Sequence, residues 1–361
     1  MKRDTNITSV PARAIDVGYA NTKFTCGRKQ VNGINMVHAD LFPSITATLR
    51  PNATFMHAPG THGADGCISE VNGVPHFAGR GVDMHLKGVQ PRHVMKDYCT
   101  SPSYLALMRG AMHYMLEDAG NPQEMAIEHL TVGLPLNTYL EYRDRLRSIV
   151  VDRHEVVSPD PSVGARHVTV VDASVMVQPM GALYNYGLTH PDFNLSGWNL
   201  VIDVGGGTID FLVARDKAPN YERSGAHPES MLACASAVAK MINPSLRGQY
   251  SIIQEIDAAI RERKETIRIS GVEYAMSDFS GAISDVLRGG YNAMLDTIGA
   301  LEDFHSILVC GGGGAVFYDF LREHHPDLRP RLRIDAGAAF SNVRGFQIVA
   351  EYTQRMGSAN R

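Results

Sequence analysis

Two aspartates, Asp16 and Asp203, each end an apolar run and open a turn of small residues. Around them the chain reads AIDVGYANTKF from Ala14 to Phe24 and VIDVGGGTIDF from Val201 to Phe211. The stretches align without gaps, share five of eleven positions and lie 187 residues apart. A turn lacking Cβ atoms lets backbone N–H groups come close to phosphate oxygens. A carboxylate at its start suits hydrated Mg2+, which keeps several waters and meets a protein through one or two carboxylates. Lys23, replaced in the second stretch by Asp210, adds a point charge for phosphate. Two such turns facing each other make a jaw for a metal-bound nucleotide.

Each residue also has a plainer use. Asp16 or Asp203 alone is an ordinary turn-former, and Lys23 suits a solvated strand edge. Asp210 reads best as a structural acid of the hairpin or of the seam between lobes. The repeat favours the chemical reading, because a turn-forming accident does not recur with the same neighbours. Other phosphate-binding patterns fail. No glycine precedes Lys-Ser or Lys-Thr, so there is no P-loop. VCGGGGAVF has a strand and a helix around its glycines, but only 47 residues follow Gly314, too few for a dinucleotide domain.

The elements that position these turns alternate between α and β. Each turn joins two strands, so the chain is expected to form two related lobes that open with the same hairpin. Ser103 to Gly120 reads as a helix ended by its glycine. Glu128 to Pro135 reads as a strand, Tyr142 to Val150 as a helix, and Arg166 to Gly187 as a strand followed by a helix that Gln178-Pro179 opens. Helices are expected over Ser230 to Ile242, Ile252 to Lys264 and Gly281 to Ile298, with a hairpin turning at Ser270-Gly271. His305 to Leu321 reads as strand, glycine turn and helix, and Phe340 to Gln354 as a last helix. HPDLRPRLRID reads as a linker. The Gly- and His-rich region from about 50 to 95 reads as long loops or an inserted subdomain.

Composition sets the class. The 361 residues are 44% hydrophobic and 20% charged, ordinary values for a globular chain of two domains. The net charge of −4 gives no sign of direct nucleic-acid binding. No signal-like or membrane-spanning apolar run is present, so a cytoplasmic location is expected. The five cysteines never form C-x-x-C, which argues against a disulfide framework or a zinc site. His57, His62, His76, His85 and His93 lack the spacing of a helical metal site and read as loop or surface residues.

Five segments taken in order carry a family resemblance: AIDVGYANTK, VMVQPMGAL, VIDVGGGTID, ILVCGGGGAVF and FSNVRGF. They resemble the first phosphate, first connecting, second phosphate, adenosine and second connecting motifs of the actin/Hsp70/sugar-kinase superfamily. They bracket residues 14 to 346. The D-x-G-x-x-N-T-K start, the FPS after it, HFAGRGV and VGLP look most like the bacterial plasmid-segregation actins of the ParM/StbA type. The plain triple glycine of the second turn departs toward Hsp70 and the cell-shape actins.

The resemblance implies a two-lobed actin-like fold, ribonuclease-H-like and duplicated, with a nucleotide cleft between the lobes. It implies lobe I over 1–178 with an insertion at about 30–95, lobe II over 179–338, and a C-terminal helix over 339–361 returning to lobe I. Asp16 and Asp203 would orient Mg2+ and its waters. Gly18, Asn21, Thr22 and Lys23 would meet phosphate from the first turn, and Gly205, Gly206, Gly207 and Thr208 from the second. Gln178 would position the attacking water; its plainer use is to cap the helix it opens. Gly311, Gly312 and Gly313 would lie against adenosine. Arg261 and Lys264 would touch the base or ribose, although RERKE is first of all a solvated helix face.

The implied function is an ATPase that binds ATP/ADP with Mg2+ and forms head-to-tail filaments, for plasmid partition through a DNA-binding adaptor protein. The alternative is a non-polymerising relative, a small-molecule kinase or a nucleotide-switched regulator. Kinases of this kind generally need an acidic base, and Gln178 argues against one at that position. A scaffold with a degenerate site is a third reading, opposed by the intact Asp16, Lys23, Gln178 and Asp203.

Overall fold

The computed structural model describes residues 7–50, 60–87 and 97–359. His57, His93 and the rest of 51–59 and 88–96 lie outside the described residues. The first sheet is built from β1 (Thr8–Val17), β2 (Asn21–Val31), β3 (Ile34–Pro43), β4 (Ala47–Thr48), β5 (Cys67–Val71) and β6 (Val74–Ala78). After α1 (Pro102–Asp118) come β7 (Glu124–Leu134), α2 (Leu136–Val150), β8 (Arg153–Val157), β9 (Ala165–Val170), β10 (Ala173–Val177) and α3 (Gln178–Thr189). The strand order is β3-β2-β1-β7-β9-β8-β5-β6-β4, with β10 also on β7. The described part of 30–95 thus joins both ends of this sheet.

The second sheet begins with β11 (Asn199–Val204), β12 (Ile209–Arg215) and β13 (Ala218–His227). Helices α4 (Met231–Ile242) and α5 (Tyr250–Arg261) follow, then the small hairpin of β14 (Thr266–Ile269) and β15 (Val272–Ala275). The chain ends with α6 (Ser280–Ile298), β16 (Ser306–Cys310), α7 (Gly314–His324), β17 (Leu332–Ile334) and α8 (Ser341–Ala359). The order is β13-β12-β11-β16-β17.

The repeat seen in the sequence is a repeat of topology. In the first sheet β1 pairs antiparallel with β2 and parallel with β7; in the second β11 pairs antiparallel with β12 and parallel with β16. Both first strands are buried through to their C-terminal ends because helices cover each sheet on two faces. On one face of the first sheet, α1 packs Leu107, Met108, Met112 and Met115 against Phe24, Phe42 and Ile127. On the other, Val343 and Phe346 of α8 cover Ala14. In the second sheet α4, α5, α6 and α7 take one face and Met180 and Leu183 of α3 the other. Fully burying each such side chain contributes about 1.5–3 kcal/mol.

Helices α3 and α8, which back the two sheets, pack directly on each other. Gly181 and Gly345 meet in this contact, where a Cβ on Gly345 would lie 1.8 Å from the Gly181 carbonyl oxygen. A side chain at either position would push these backbones apart.

Four expectations are corrected. The stretch expected as a linker forms a single turn over Pro326–Leu328 and then β17, an edge strand of the second sheet. Leu328 and Leu332 are buried, while Arg331 donates to the Leu301 and Phe304 carbonyls. Charge at a short edge is how a sheet discourages further pairing. The strand expected before α3 is two strands, β9 on the first half of β7 and β10 on its second half. The third correction concerns α5, which ends at Arg261 rather than Lys264. Arg263 takes a left-handed φ of 53°. Its N–H donates to Ile260 O and that of Lys264 to Ala259 O, a Schellman ending without glycine. Of the histidines expected at the surface, His76 is buried on β6.

Candidate nucleotide site

The two hairpins place their charged residues at matching registers. Asp16 sits opposite Lys23 across β1–β2, and Asp203 sits opposite Asp210 across β11–β12. The turns close alike: Gly18 N–H donates to Asn21 O at 3.2 Å, and Gly205 N–H to Thr208 O at 2.9 Å. The same backbone device therefore carries Lys23 in one half and Asp210 in the other. The turns also face each other, and Ala20 of the first touches Gly206 of the second.

Three carboxylates and one ammonium share this seam. Asp16, Asp203 and Asp210 are all buried, at 1%, 6% and 2% exposure. Lys23 Nζ lies 3.1 Å from Asp16 Oδ2, and Gln178 Nε2 donates to Asp16 Oδ1 at 2.6 Å. Asn342, from α8, donates to Asp203 Oδ2 at 2.6 Å. Asp210 accepts from the Thr208 hydroxyl at 2.6 Å and from the Leu136 N–H at 3.3 Å, tying the second hairpin to α2. Asp210 thus does bridge the two halves.

Burial dominates the electrostatics. It raises the pKa of Asp203, with the Lys23 charge opposing it. Burial, reinforced by the Asp203 charge, pushes Asp210 up to about 7. For Lys23, burial disfavours the charged form, but the carboxylates of Asp16 and Asp203 outweigh it and the pKa is raised. Among the described residues the seam is short of positive charge, and buried acids need a counter-charge. A divalent cation fits that deficit. Two buried polar groups are also unpartnered here, Asn342 Oδ1 and the hydroxyl of Tyr104, which lines the cleft.

The structure brings most of the expected residues to one cleft. Asp16, Gly18, Asn21 and Lys23 line it from the first half, with Gln178 at its floor. Asp203, Gly205, Gly206, Gly207, Thr208, Gly312 and Gly313 line it from the second, with Arg261 at its far end. Arg261 is braced by Asp257 at 2.9 Å.

Three expected residues do not line it. The Thr22 side chain is buried beneath the turn, where its hydroxyl shares a 2.8 Å hydrogen bond with Ser44 Oγ. Lys264, past the end of α5, lies 3.1 Å from Glu262 on a different face. Gly311 lies behind the site, with a left-handed φ of 87°. A Cβ there would lie 2.3 Å from Asp203 Oδ1, so this glycine makes room for the carboxylate.

Other cleft residues escape sequence reasoning. Tyr19 stacks on Tyr98 with ring centroids 5.2 Å apart, and Tyr104, Thr138 and Met231 complete the walls. No spacing announces Tyr98 or Tyr104. Asn342 lies inside the quoted FSNVRGF segment, and that is the signal that points to it.

Two family models match the chain. Residues 14–181 match the N-terminal domain of actin-like proteins, and residues 201–323 match the C-terminal domain of the archaeal actin homologue, MreB-like. Solved structures agree in fold. The actin-like protein Alp7A superposes with a TM-score of 0.75 at 15% identity, covering 98% of this chain and 99% of its own. A ParM subunit of a 15-stranded filament from Clostridium botulinum gives 0.70 at 20% identity, covering 94% and 99%. An archaeal actin homologue in complex with ADP gives 0.67 at 19%, covering 94% and 99%. No curated protein matches the chain. The fold is the two-domain actin-like fold.

Proposed function

Since the chain belongs to the actin-like proteins, we propose that it is an ATPase that holds ATP between its two glycine turns and assembles into filaments. The observation that carries this reading is the matched pair of hairpins, each with a buried acid beside a turn that faces the other. The triphosphate lies between the turns, receiving N–H groups from Gly206 and Gly207 while those of Gly18 and Gly205 close the turns around it, with Lys23 and Thr208 beside it. Asp16 and Asp203 would hold Mg2+ through its waters, and the metal supplies positive charge for the phosphoryl oxygens.

Gln178 is fixed by its amide N–H2 on Asp16, which leaves Oε1 to accept a proton of the attacking water. An amide contributes orientation rather than proton abstraction, which suits a reaction governed by positioning and charge. Adenosine lies over Gly312 and Gly313, with Arg261 near its sugar or base. Nucleotide held by both halves favours the closed arrangement, and hydrolysis releases it.

Assembly is head-to-tail and non-closing, the geometry that yields filaments. The ParM filament among the similar structures supports that step. The job of such a filament is plasmid partition in the cytoplasm, and with a net charge of −4 the chain meets DNA through a basic adaptor protein. A small-molecule kinase is the second reading, with Asp210, a cleft acid pushed up to about 7, as its base. Its oxygens already accept from Thr208 and Leu136, which places the kinase second. Phosphate release from Mg-ATP by the purified chain tests the proposal. Turnover independent of any added hydroxyl acceptor supports it, and turnover that requires one transfers the assignment to the kinase.

A further inference from the structure

We propose that Cys26, His38 and Asp118 form a site for a thiophilic divalent cation of the zinc type, away from the nucleotide cleft. One ligand atom from each, the Cys26 sulfur, a His38 ring nitrogen and an Asp118 oxygen, lies within 4.8 Å of the other two. Among the described residues no other group of three such side chains is so placed. The donor set is what zinc takes: thiolate, imidazole and carboxylate, with a fourth position left for water.

The local fold explains why they converge. The β2–β3 register breaks between Thr25, paired with Ala39, and Arg28, paired with Val37. Cys26 and Gly27 therefore oppose the single residue His38, a bulge that re-aims side chains. Asp118 arrives from elsewhere, as the last residue of α1. Three separate elements supply the ligands, which is why no C-x-x-C or H-x-x-x-H spacing marks the site in the sequence. His38 Nδ1 is buried and makes no hydrogen bond. A buried ring nitrogen without a partner is costly, and such a group calls for an explanation.

The neighbouring charges set the terms of binding. Lys29 Nζ holds Asp118 Oδ1 at 2.5 Å, but the Lys29 side chain is 44% exposed and can swing into water. The buried Arg13 opposes a cation while favouring the thiolate. Without metal the thiol stays protonated, since burial, and after it the Asp118 charge, pushes it up to about 12. Binding therefore releases the thiol proton to solvent, and the S–M bond replaces S–H. Bound metal would pin the β2–β3 hairpin to the end of α1.

Cobalt(II) added to the reduced, chelator-treated full chain reads this directly through its thiolate charge-transfer band. The wild type is expected to show the band at one equivalent and to lose it when zinc is added. Cys26→Ser is expected to abolish it, and His38→Gln and Asp118→Asn to weaken cobalt binding by roughly tenfold or more. Lys29→Ala removes the competitor for Asp118 and is expected to bind more tightly. Thermal melting without metal checks that each variant is folded. The proposal is overturned by a wild type without the band, by a band that survives Cys26→Ser, or by folded His38→Gln and Asp118→Asn chains that bind cobalt like the wild type.

Discussion

Gly206 and Ala20 meet across the cleft with no room for a methyl group between them. A Cβ on Gly206 would lie 2.4 Å from the Ala20 Cβ and 3.2 Å from its backbone nitrogen. Neither neighbour is the flexible end of a side chain, so the two turns would have to separate. Gly206→Ala is expected to cost about 1–3 kcal/mol of stability, read by denaturant melts. Adding Ala20→Gly to that variant is expected to recover part of the loss. Equal costs in the single and double variants would place the strain elsewhere.

Gln178 is predicted to matter for turnover more than for binding. Its Nε2 is held on Asp16 at 2.6 Å, and the reading leaves its oxygen for water. Gln178→Ala is expected to lower kcat on the order of a hundredfold, the scale of lost positioning, with nucleotide affinity nearly unchanged. Parallel losses in affinity and turnover would assign Gln178 to binding.

Asn342 is the partner of Asp203 from the far end of the chain. Removing its amide leaves a buried carboxylate without that donor. Asn342→Ala is expected to cost about 1.5–3 kcal/mol, the range for a hydrogen bond to a charged group. It should also weaken nucleotide binding in the presence of metal. Calorimetric melting with and without Mg-ADP measures both, and an unchanged melt would show that Asp203 is held without Asn342.

Asp210 gives the site a pH signature. Its pKa rises from 3.8 to about 7 in the folded chain, through burial and the nearby Asp203 charge. A carboxyl raised in this way adds stability that is complete below its unfolded value and is lost as pH climbs through the folded one. The wild type should therefore lose more stability than Asp210→Asn between about pH 4 and pH 7 in metal-free buffer. Urea melts across that window measure it. Parallel stability curves for the two chains would contradict the raised pKa.

The sequence showed the hairpins clearly because their requirements are local: a strand, an acid, a small-residue turn and a second strand. Asp16 and Asp203 could be matched because the same stretch occurs twice. What was illegible depends on distant parts of the chain. Asn342 reaches Asp203 only because α8 returns to the seam, and Tyr98 joins Tyr19 only because the loop before α1 passes the first turn. Arg263 ends α5 in a conformation usually left to glycine, so the period that carried the helix to Lys264 misled by one turn. The edge strand β17 looked like a linker because its outward face is arginine. Gly311 was expected to approach adenosine, yet the space it leaves belongs to Asp203.

Sedimentation of the purified chain with Mg-ATP, against Mg-ADP at the same protein concentration, tests the central claim most directly. A pellet is expected with ATP that returns to the supernatant as the ATP is consumed, and little pellet with ADP. A chain that stays in the supernatant with both nucleotides, across a wide range of protein concentration, would contradict it.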